Sequence, residues 1–342
     1  MKQTDGKELG IIMKKTILAW LLLAGMLLSL TGCGETVMQT AAEKVLQMEP
    51  DASFTLGETY SDPQVSITTE LAVLSGEGVM APMTAEEDGS VFAYTSDDGK
   101  DHLYLDCVAT VKNTGEDSMN LQEDLLFYAL EGDTLYNECI ILTENADGTD
   151  MEDAGTLESG KSVRLHYGLI LPEDTSDAEI EVRFMMPESG EIYSAPLQEL
   201  LPKAADLTKE KAVKRDDGVS LTLKSAKITN TVEAVSAAGG GYALRPQTEG
   251  NQMMDVVLEV ANGSKQDVSL GTLYSGLMLQ EHVAEPAMIV MEANQDMIYS
   301  GAIKAGSTIV THLAFELPEQ PDDSSKVYVY FGGTYYTVTW EK

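Results

Sequence analysis

One stretch of the sequence occurs twice. Residues 106–121 read DCVATVKNTGEDSMNL and residues 255–270 read DVVLEVANGSKQDVSL, and the two align without a gap. In both copies apolar residues alternate with more polar ones, which predicts a strand with one face on a core. Asn113 or Asn262 then precedes a glycine-containing segment, which predicts a turn at the end of that strand. An internal repeat of this kind predicts a duplicated fold.

Other segments repeat in the same order. Leu171-Pro172-Glu173 recurs as Leu317-Pro318-Glu319, and 180–184 recurs as 327–331. Each half offers about seven short strands with turn signals between them, which favours an antiparallel sandwich. A long connection follows the first long strand of each half, and connections of this length are either functional or loosely structured. We therefore predict an all-β protein of two tandem antiparallel sandwiches, residues 54–196 and 208–342, joined by a linker, residues 197–207.

The N-terminal region has the pattern of a lipoprotein signal peptide. Two lysines precede an uncharged apolar run, residues 17–30, that is shorter than the roughly 20 residues of a transmembrane helix. The run ends at Leu30-Thr31-Gly32-Cys33, which matches the lipobox of bacterial lipoproteins, in which the cysteine thiol carries the lipid. We predict a signal peptide over 1–32 with Met13 as the true start, lipidation at Cys33, and a lipid-anchored tether over 33–53. A cleaved secretory signal with an incidental cysteine is the alternative.

Charge limits the partners. The chain has 56 acidic and 22 basic residues, a formal net charge of −34. A surface this acidic repels phosphate backbones and anionic headgroups, so nucleic acid is excluded as a partner, whereas cationic ligands are compatible with it. The lipid at Cys33, not electrostatic attraction, is therefore the predicted contact with the membrane.

The order of the strand motifs resembles a known family. A Gly-Glu-Thr strand at residues 57–59, a strand ending in Val-Lys-Asn-Thr-Gly, a Ser-Gly-Lys-Ser turn at 159–162, and strands ending in Leu-Pro-Glu and Val-x-Phe follow one another. This order is similar to that of the immunoglobulin-like domains of unknown function in lipoproteins of Gram-positive bacteria. The resemblance implies β-sandwiches on the extracytoplasmic face of the bacterial cell membrane with an interaction role, and it supplies no catalytic residues.

Two motifs suggest sites that we weigh against simpler interpretations. Residues 155–162 fit the phosphate-loop pattern G-x-x-x-x-G-K-[ST], but an acidic loop precedes them and a strand is predicted to follow, so we predict no nucleotide site. Four acidic residues crowd one loop, and calcium binds oxygen clusters of this kind, but their spacing departs from the EF-hand pattern. A solvated acidic loop is the main interpretation and calcium the alternative. The four residues are Asp147, Asp150, Glu152 and Asp153.

The histidines and cysteines give no catalytic pattern. His166 and His312 occupy equivalent places in the two halves and are interpreted as polar strand residues, while His102 and His282 stand alone. Cys107 aligns with a valine and behaves as a small core residue. A disulfide from Cys107 to Cys139 is compatible with an extracytoplasmic location and stays open as an alternative.

The predicted recognition site is aromatic. If Val327, Val329 and Phe331 face the core, Tyr328 and Tyr330 point outward, where two aromatic rings can stack on a sugar or a peptide. The long connection of the same half adds Tyr242 and Arg245. These residues predict a binding or interaction module at the cell surface that recognises an extracellular protein, peptide or glycan. The alternatives are an extracytoplasmic hydrolase and a structural surface spacer; no cofactor is predicted.

Overall fold

A computed structural model describes most of the chain beyond the predicted tether. The signal peptide, Cys33 and most of the tether lie outside the described residues. In the part that the structure covers, none of the helices has the length and apolar character needed to cross a bilayer. The described residues are 48–76, 78–79, 94–145, 151–175, 179–235, 243–270, 273, 275–280, 283–293, 296–299, 301–317, 321 and 325–341.

Contacts between backbone positions divide the chain into two compact units. The division at residues 201 and 202 falls inside the predicted linker 197–207, where the structure has a single 3-10 turn, Leu197–Glu199. Two segments that belong to the first repeat in sequence, 73–98 and 144–152, are grouped with the second unit. Below, "first repeat" and "second repeat" refer to the two copies of the strand pattern.

The first repeat is built almost entirely of strands. Several strands have only two or three residues, so the described strands are more numerous than the seven or so predicted. One short helix, α1 (Leu121–Asp124), interrupts them. The strands are β1 (Ala52–Ser53), β2 (Thr59–Ser61), β3 (Val65–Ser75), β4 (His102–Asn113), β5 (Met119–Asn120), β6 (Leu126–Glu131), β7 (Thr134–Tyr136), β8 (Cys139–Glu144), β9 (Met151–Asp153), β10 (Thr156–Leu157), β11 (Ser162–Pro172), β12 (Ile180–Met185) and β13 (Ile192–Pro196).

These strands form two layers. One layer has the neighbour order β1-β13-β12-β6-β7, and the other has β3-β4-β11-β8-β9 with β2 beside β3. The register of β4 against β11 is antiparallel over its whole length, from Lys112 opposite Ser162 to His102 opposite Pro172. Aromatic side chains join the layers, since the ring of Phe127 on β6 lies 5.1 Å from that of Tyr167 on β11. The first repeat is therefore an antiparallel sandwich, as predicted.

The second repeat has the same strands in the same order, with one addition, the pair β17 and β18. The strands are β14 (Ala204–Asp206), β15 (Ala212–Lys214), β16 (Val219–Thr229), β17 (Val232–Glu233), β18 (Ala243–Leu244), β19 (Gln252–Asn262), β20 (Val268–Ser269), β21 (Ser275–Gln280), β22 (Val283–Pro286), β23 (Met288–Ala293), β24 (Asp296–Ile298), β25 (Ala302–Ile303), β26 (Thr308–Leu317), β27 (Lys326–Phe331) and β28 (Thr334–Val338).

The layers of the second repeat match those of the first. The neighbour orders are β14-β28-β27-β21-β22 and β15-β16-β19-β26-β23-β24. The sandwich core lies between them, where Val256, Leu258 and Val260 on β19 pack with Val327 and Val329 on β27. The alternation read from the sequence thus gave the correct inward faces of β19 and β27. Strand β14 lies in the predicted linker but pairs with β28, so the second repeat begins earlier than residue 208.

The repeated asparagine ends the central strand in the same way in both copies. The side-chain Nδ2 of Asn113 donates to the carbonyls of Asp117 and Leu157, each at 2.8 Å, and its Oδ1 accepts from the amide of Gly115 at 3.0 Å. Asn262 makes the corresponding bonds to Gln266, Ile303 and Ser264, with equal distances. Both side chains are buried. Each asparagine therefore ties the turn after its strand to a distant strand, which explains why the repeat retains it.

Candidate functional site

The first repeat contains an open cleft at one end of its second layer. Its volume is about 490 Å³, within the range typical of small-ligand sites. Three segments line it: 100–102 at the start of β4, 135–138 from β7 to the start of β8, and 170–173 at the end of β11.

Strand pairing brings these segments together. Pro172 on β11 lies opposite His102 on β4, and Leu169 on β11 lies opposite Cys139 on β8. The amide of Ile170 donates to the carbonyl of Glu138 at 2.8 Å, which fixes the connection before β8 against β11. Leu135 and Tyr136 lie on β7, which pairs with β6 in the other layer. Paired backbone of both layers therefore supports the cleft.

The cleft has an apolar floor and a charged rim. Leu171 is buried, and Leu135, Tyr136 and Ile170 are partly buried. The hydroxyl of Tyr136 donates to Glu131 Oε2 at 2.6 Å, and burial together with this bond raises the pKa of Tyr136 above its usual value. The phenol therefore stays neutral in the physiological range. The exposed charged residues of the rim are Lys100, Asp101, Glu138 and Glu173.

The sequence did not reveal this cleft. His102 was interpreted as an isolated histidine, whereas it lines the cleft with its ring 6.0 Å from that of Tyr104. The Leu171-Pro172-Glu173 segment was read only as the end of a strand. The only available signal was that this segment and the start of β4 must meet if the two strands pair in full register.

His166 and His312 lie on the equivalent strands β11 and β26, as predicted, but they do not face solvent. Each is buried and bonded to an aspartate on the neighbouring strand: His166 Nδ1 lies 2.9 Å from Asp106 Oδ2, and His312 Nδ1 lies 2.8 Å from Asp255 Oδ1. The two aspartates are the first residues of the repeated stretch. An aspartate that orients a histidine also occurs in hydrolytic sites, but a general base must reach its substrate. With 1 % and 0 % of these histidines exposed, neither does so here.

In the second repeat, the histidine of the pair also contacts a glutamate. His312 Nε2 lies 3.0 Å from Glu292 Oε1 on β23, so the ring stands between two carboxylates on opposite sides. In that arrangement the carboxylates do not converge on a common point, and no group of metal-binding residues is found among the described residues. The triad is an ionic cluster on the outer face of the layer, away from the sandwich core.

The tyrosine site is only partly as predicted. Tyr328 does lie on the face opposite Val327 and Val329, but it is 3 % exposed, so the prediction that it points into solvent is wrong. The reason is that this face is itself apolar: Leu277 lies opposite Tyr328 on β21, and the ring of Tyr335 on β28 lies 6.4 Å away. Burial also raises the pKa of Tyr328.

The remaining residues of that predicted site differ in exposure. Tyr330 is partly exposed, with its ring 4.8 Å from that of Tyr335, and Arg245 is exposed. Tyr242 lies outside the described residues. In the first repeat, Arg183 occupies the position that Tyr330 has in the second. Arg183 is buried and donates to the carbonyl of Met48 at 2.8 Å.

The disulfide left open as an alternative does not form. Cys107 and Cys139 are both free, because β11 lies between β4 and β8, with Tyr167 opposite Cys107 and Leu169 opposite Cys139. Two strand spacings put the cysteines roughly 10 Å apart, beyond the reach of a disulfide. Burial raises the pKa of both thiols, so both remain protonated, Cys107 in the core and Cys139 partly exposed.

The acidic loop and the phosphate-loop pattern are the remaining predicted motifs. Asp147 and Asp150 of the acidic loop lie outside the described residues, and Glu152 and Asp153 are exposed on β9. The segment 155–162 leads through a turn at Gly160 into strand β11, not into a helix, as predicted.

Comparisons with known proteins are limited to distant structural likenesses. No family model and no curated protein matches the chain. An uncharacterised β-sandwich protein from Clostridium difficile 630 is 16 % identical, with a TM-score of 0.35 over 43 % of this chain and 95 % of its own. A candidate lipoprotein from Bacillus subtilis subsp. subtilis strain 168 is 15 % identical, with a TM-score of 0.26 over 42 % of this chain and 39 % of its own. At these TM-scores neither likeness identifies a function.

Proposed function

We propose that this chain is a lipid-anchored, extracytoplasmic binding module that holds a peptide segment with a basic side chain in the cleft of the first repeat. The observation that carries the proposal is the cleft itself, an apolar floor with a largely acidic rim on a rigid pair of strands. The lipobox at Cys33 supports the location.

The size and lining of the cleft favour an extended segment. A volume of about 490 Å³ accommodates a few side chains, and the partly buried Leu135, Tyr136 and Ile170 offer apolar contacts. Tyrosine adds a flat surface with a polar end, a combination enriched where proteins bind other chains.

The charges of the rim favour a cation. The rim has three acidic residues, Asp101, Glu138 and Glu173, and one basic residue, Lys100. The whole chain has a net charge of −34. Exposed ion pairs contribute only about 0.2–1 kcal/mol each, so the rim selects the sign of the ligand and steers its approach more than it tightens binding. We therefore expect weak, salt-sensitive binding.

Calorimetric titration with matched peptides tests the proposal. A short apolar peptide with a central lysine should bind the full chain more tightly than its glutamine counterpart, and the difference should shrink as salt is added. The double variant Glu138→Gln, Glu173→Gln should lose this preference. The control Glu116→Gln, Glu123→Gln removes the same charge from exposed positions outside the cleft and should keep it. Equal binding of both peptides, or equal losses in the two double variants, would contradict the proposal.

The anchor is tested separately. Cys33→Ala removes the thiol that the lipobox provides. The variant should therefore no longer incorporate an acyl label, and no acylated protein should be recovered in the membrane fraction. Recovery of an acylated Cys33→Ala protein would show that the anchor lies elsewhere.

A further inference from the structure

The long connection of the second repeat, residues 232–250, is described over 232–235 and 243–250, and both parts contact the outer face of the sheet. Val232 and Leu244, from the paired strands β17 and β18, pack with Met253, Val290 and Ala314 in a small apolar cluster separate from the sandwich core. This cluster covers the face of the sheet that carries His312, Asp255 and Glu292. The connection is therefore what makes this polar group a buried one.

The hydrogen bonds of His312 define its charge. Both ring nitrogens face carboxylate oxygens, at 2.8 Å from Asp255 and 3.0 Å from Glu292. An ionised carboxylate can only accept hydrogen bonds, so both nitrogens donate and the ring carries a proton. Burial alone would lower the pKa of His312, but the bonds and charges of Asp255 and Glu292 outweigh it and raise the pKa above 6.5.

Two carboxylates on this face hold the connection by its backbone. Glu292 Oε1, which accepts from His312, also accepts from the amide of Val235 at the end of the first described part of the connection. Glu316 accepts from the amides of Gln247 and Thr248, at 2.8 and 2.9 Å, in the second part. The end at Val235 is therefore linked to the histidine, and the end at Gln247 is not.

Most of the other charged groups near His312 are acidic, so they do not substitute for the positive charge of its protonated ring. Lys227 lies opposite Asp255 in the register of β16 and β19, and its side chain is exposed. Glu259 on β19 and Glu316 on β26 share the outer face, and Glu233 is exposed on β17. Apart from Lys227 these groups are acidic, which favours the protonated ring.

We propose that His312 is a proton-controlled latch: its proton joins Asp255 to Glu292 and so fastens the connection at Val235, and loss of the proton releases that end. A neutral imidazole has one N–H and can serve only one carboxylate. The contact of His312 with Asp255 is the shorter of the two, at 2.8 Å against 3.0 Å, so Glu292 is the one that turns toward water, and the amide of Val235 loses its acceptor. This inference concerns the second repeat and does not depend on the proposed ligand of the first.

The direction of the pH dependence follows from the raised pKa. The histidine titrates near 6.5 in the unfolded chain and higher in the folded chain. Its stabilising contribution is therefore complete below about pH 6.5 and is lost as the pH rises through the folded-state pKa. The connection is therefore held at Val235 at low pH and released there at high pH.

Amide hydrogen exchange followed by mass spectrometry on the full chain tests the latch. Rates are divided by the intrinsic exchange rate at each pH. Between about pH 6 and about pH 9, the protection of peptides covering Val232–Val235 should fall about tenfold more than that of peptides from β4. His312→Gln should show low protection in this segment at both pH values.

Two further variants keep the test decisive if His312→Gln does not fold. Glu292→Gln keeps an oxygen for the amide of Val235 but removes one charge from the histidine, so the loss of protection should move to lower pH by about one unit. Glu259→Gln, on the same face without contact to His312, should leave the transition where it is. Protection that does not depend on pH in the unmodified chain, a transition that persists in His312→Gln, or equal shifts in the two glutamate variants would overturn the proposal.

Discussion

The first and second repeats bury the same aspartate–histidine pair, but the segments around the pair differ. In the first repeat, Asp106 bonds His166 through one oxygen, its Oδ1 accepts no hydrogen bond from the described residues, and Glu144 occupies the place that Glu292 has in the second. In the second repeat, Glu292 contacts the histidine and also accepts from the backbone amide of Val235 beside the added strands β17 and β18. The comparison shows that a polar group preserved by duplication can acquire a new contact from a segment added on the same face of the sheet.

The largest effect is expected on the penultimate strand of the second repeat, where two tyrosines replace Glu181 and Arg183 of the first. Tyr328→Ala should destabilise the chain by roughly 3 kcal/mol, because it removes a buried aromatic ring, whereas Tyr330→Ala should cost about 1 kcal/mol, because that ring is partly exposed. Denaturant unfolding measures both. Equal costs would mean that the two positions are equally exposed in solution, as the sequence alone had predicted.

The asparagine turns should respond alike. Asn113→Ala and Asn262→Ala each leave two backbone carbonyls without their donor, and each should cost about 2–3 kcal/mol in the free energy of unfolding. Ser264→Ala, which removes a hydroxyl that only the second turn has, should cost about 1 kcal/mol or less. A large loss for one asparagine and none for the other would break the equivalence of the turns.

The smallest effect is expected where the repeats differ by one core side chain. Cys107→Val introduces the residue that the second repeat has as Val256, at a buried position facing the core. The free energy of unfolding should change by less than about 1 kcal/mol, since the two side chains are similar in volume and both are apolar. A loss above about 2 kcal/mol would show that the thiol has a specific partner.

The sequence predicted most of the fold because its signals are local and repeated. The alternation in 106–111 and 255–260 gave the correct inward faces, and Asn113 and Asn262 gave the correct turns. It did not predict that the outer faces would also be buried, because this depends on where the connection around Val232 and Leu244 packs. For this reason the burial of His312 does not follow from the sequence. The burial of Tyr328 depends instead on Leu277 and Tyr335 of the neighbouring strands.

The cleft could not be predicted because it depends on three segments distant in sequence. Its residues follow no motif, and only the full register of β4 against β11 brings His102 to Pro172. The phosphate-loop pattern at 155–162 is the opposite case, since the letters match but a strand follows where a phosphate loop has a helix. Spacing along the chain is informative about sites only when the elements around it are known.

Each repeat begins with a short strand that pairs in parallel with its own last strand. Ala52 and Ser53 of β1 lie beside Tyr193 and Ser194 of β13, and β14 lies beside β28 in the same way. These contacts join residues about 140 and 130 positions apart, and contacts over such distances are slow to form. A chain of which only part of a repeat has been synthesised therefore cannot close that repeat. Completion of the last strand sets the moment at which each half of the molecule becomes a folded body.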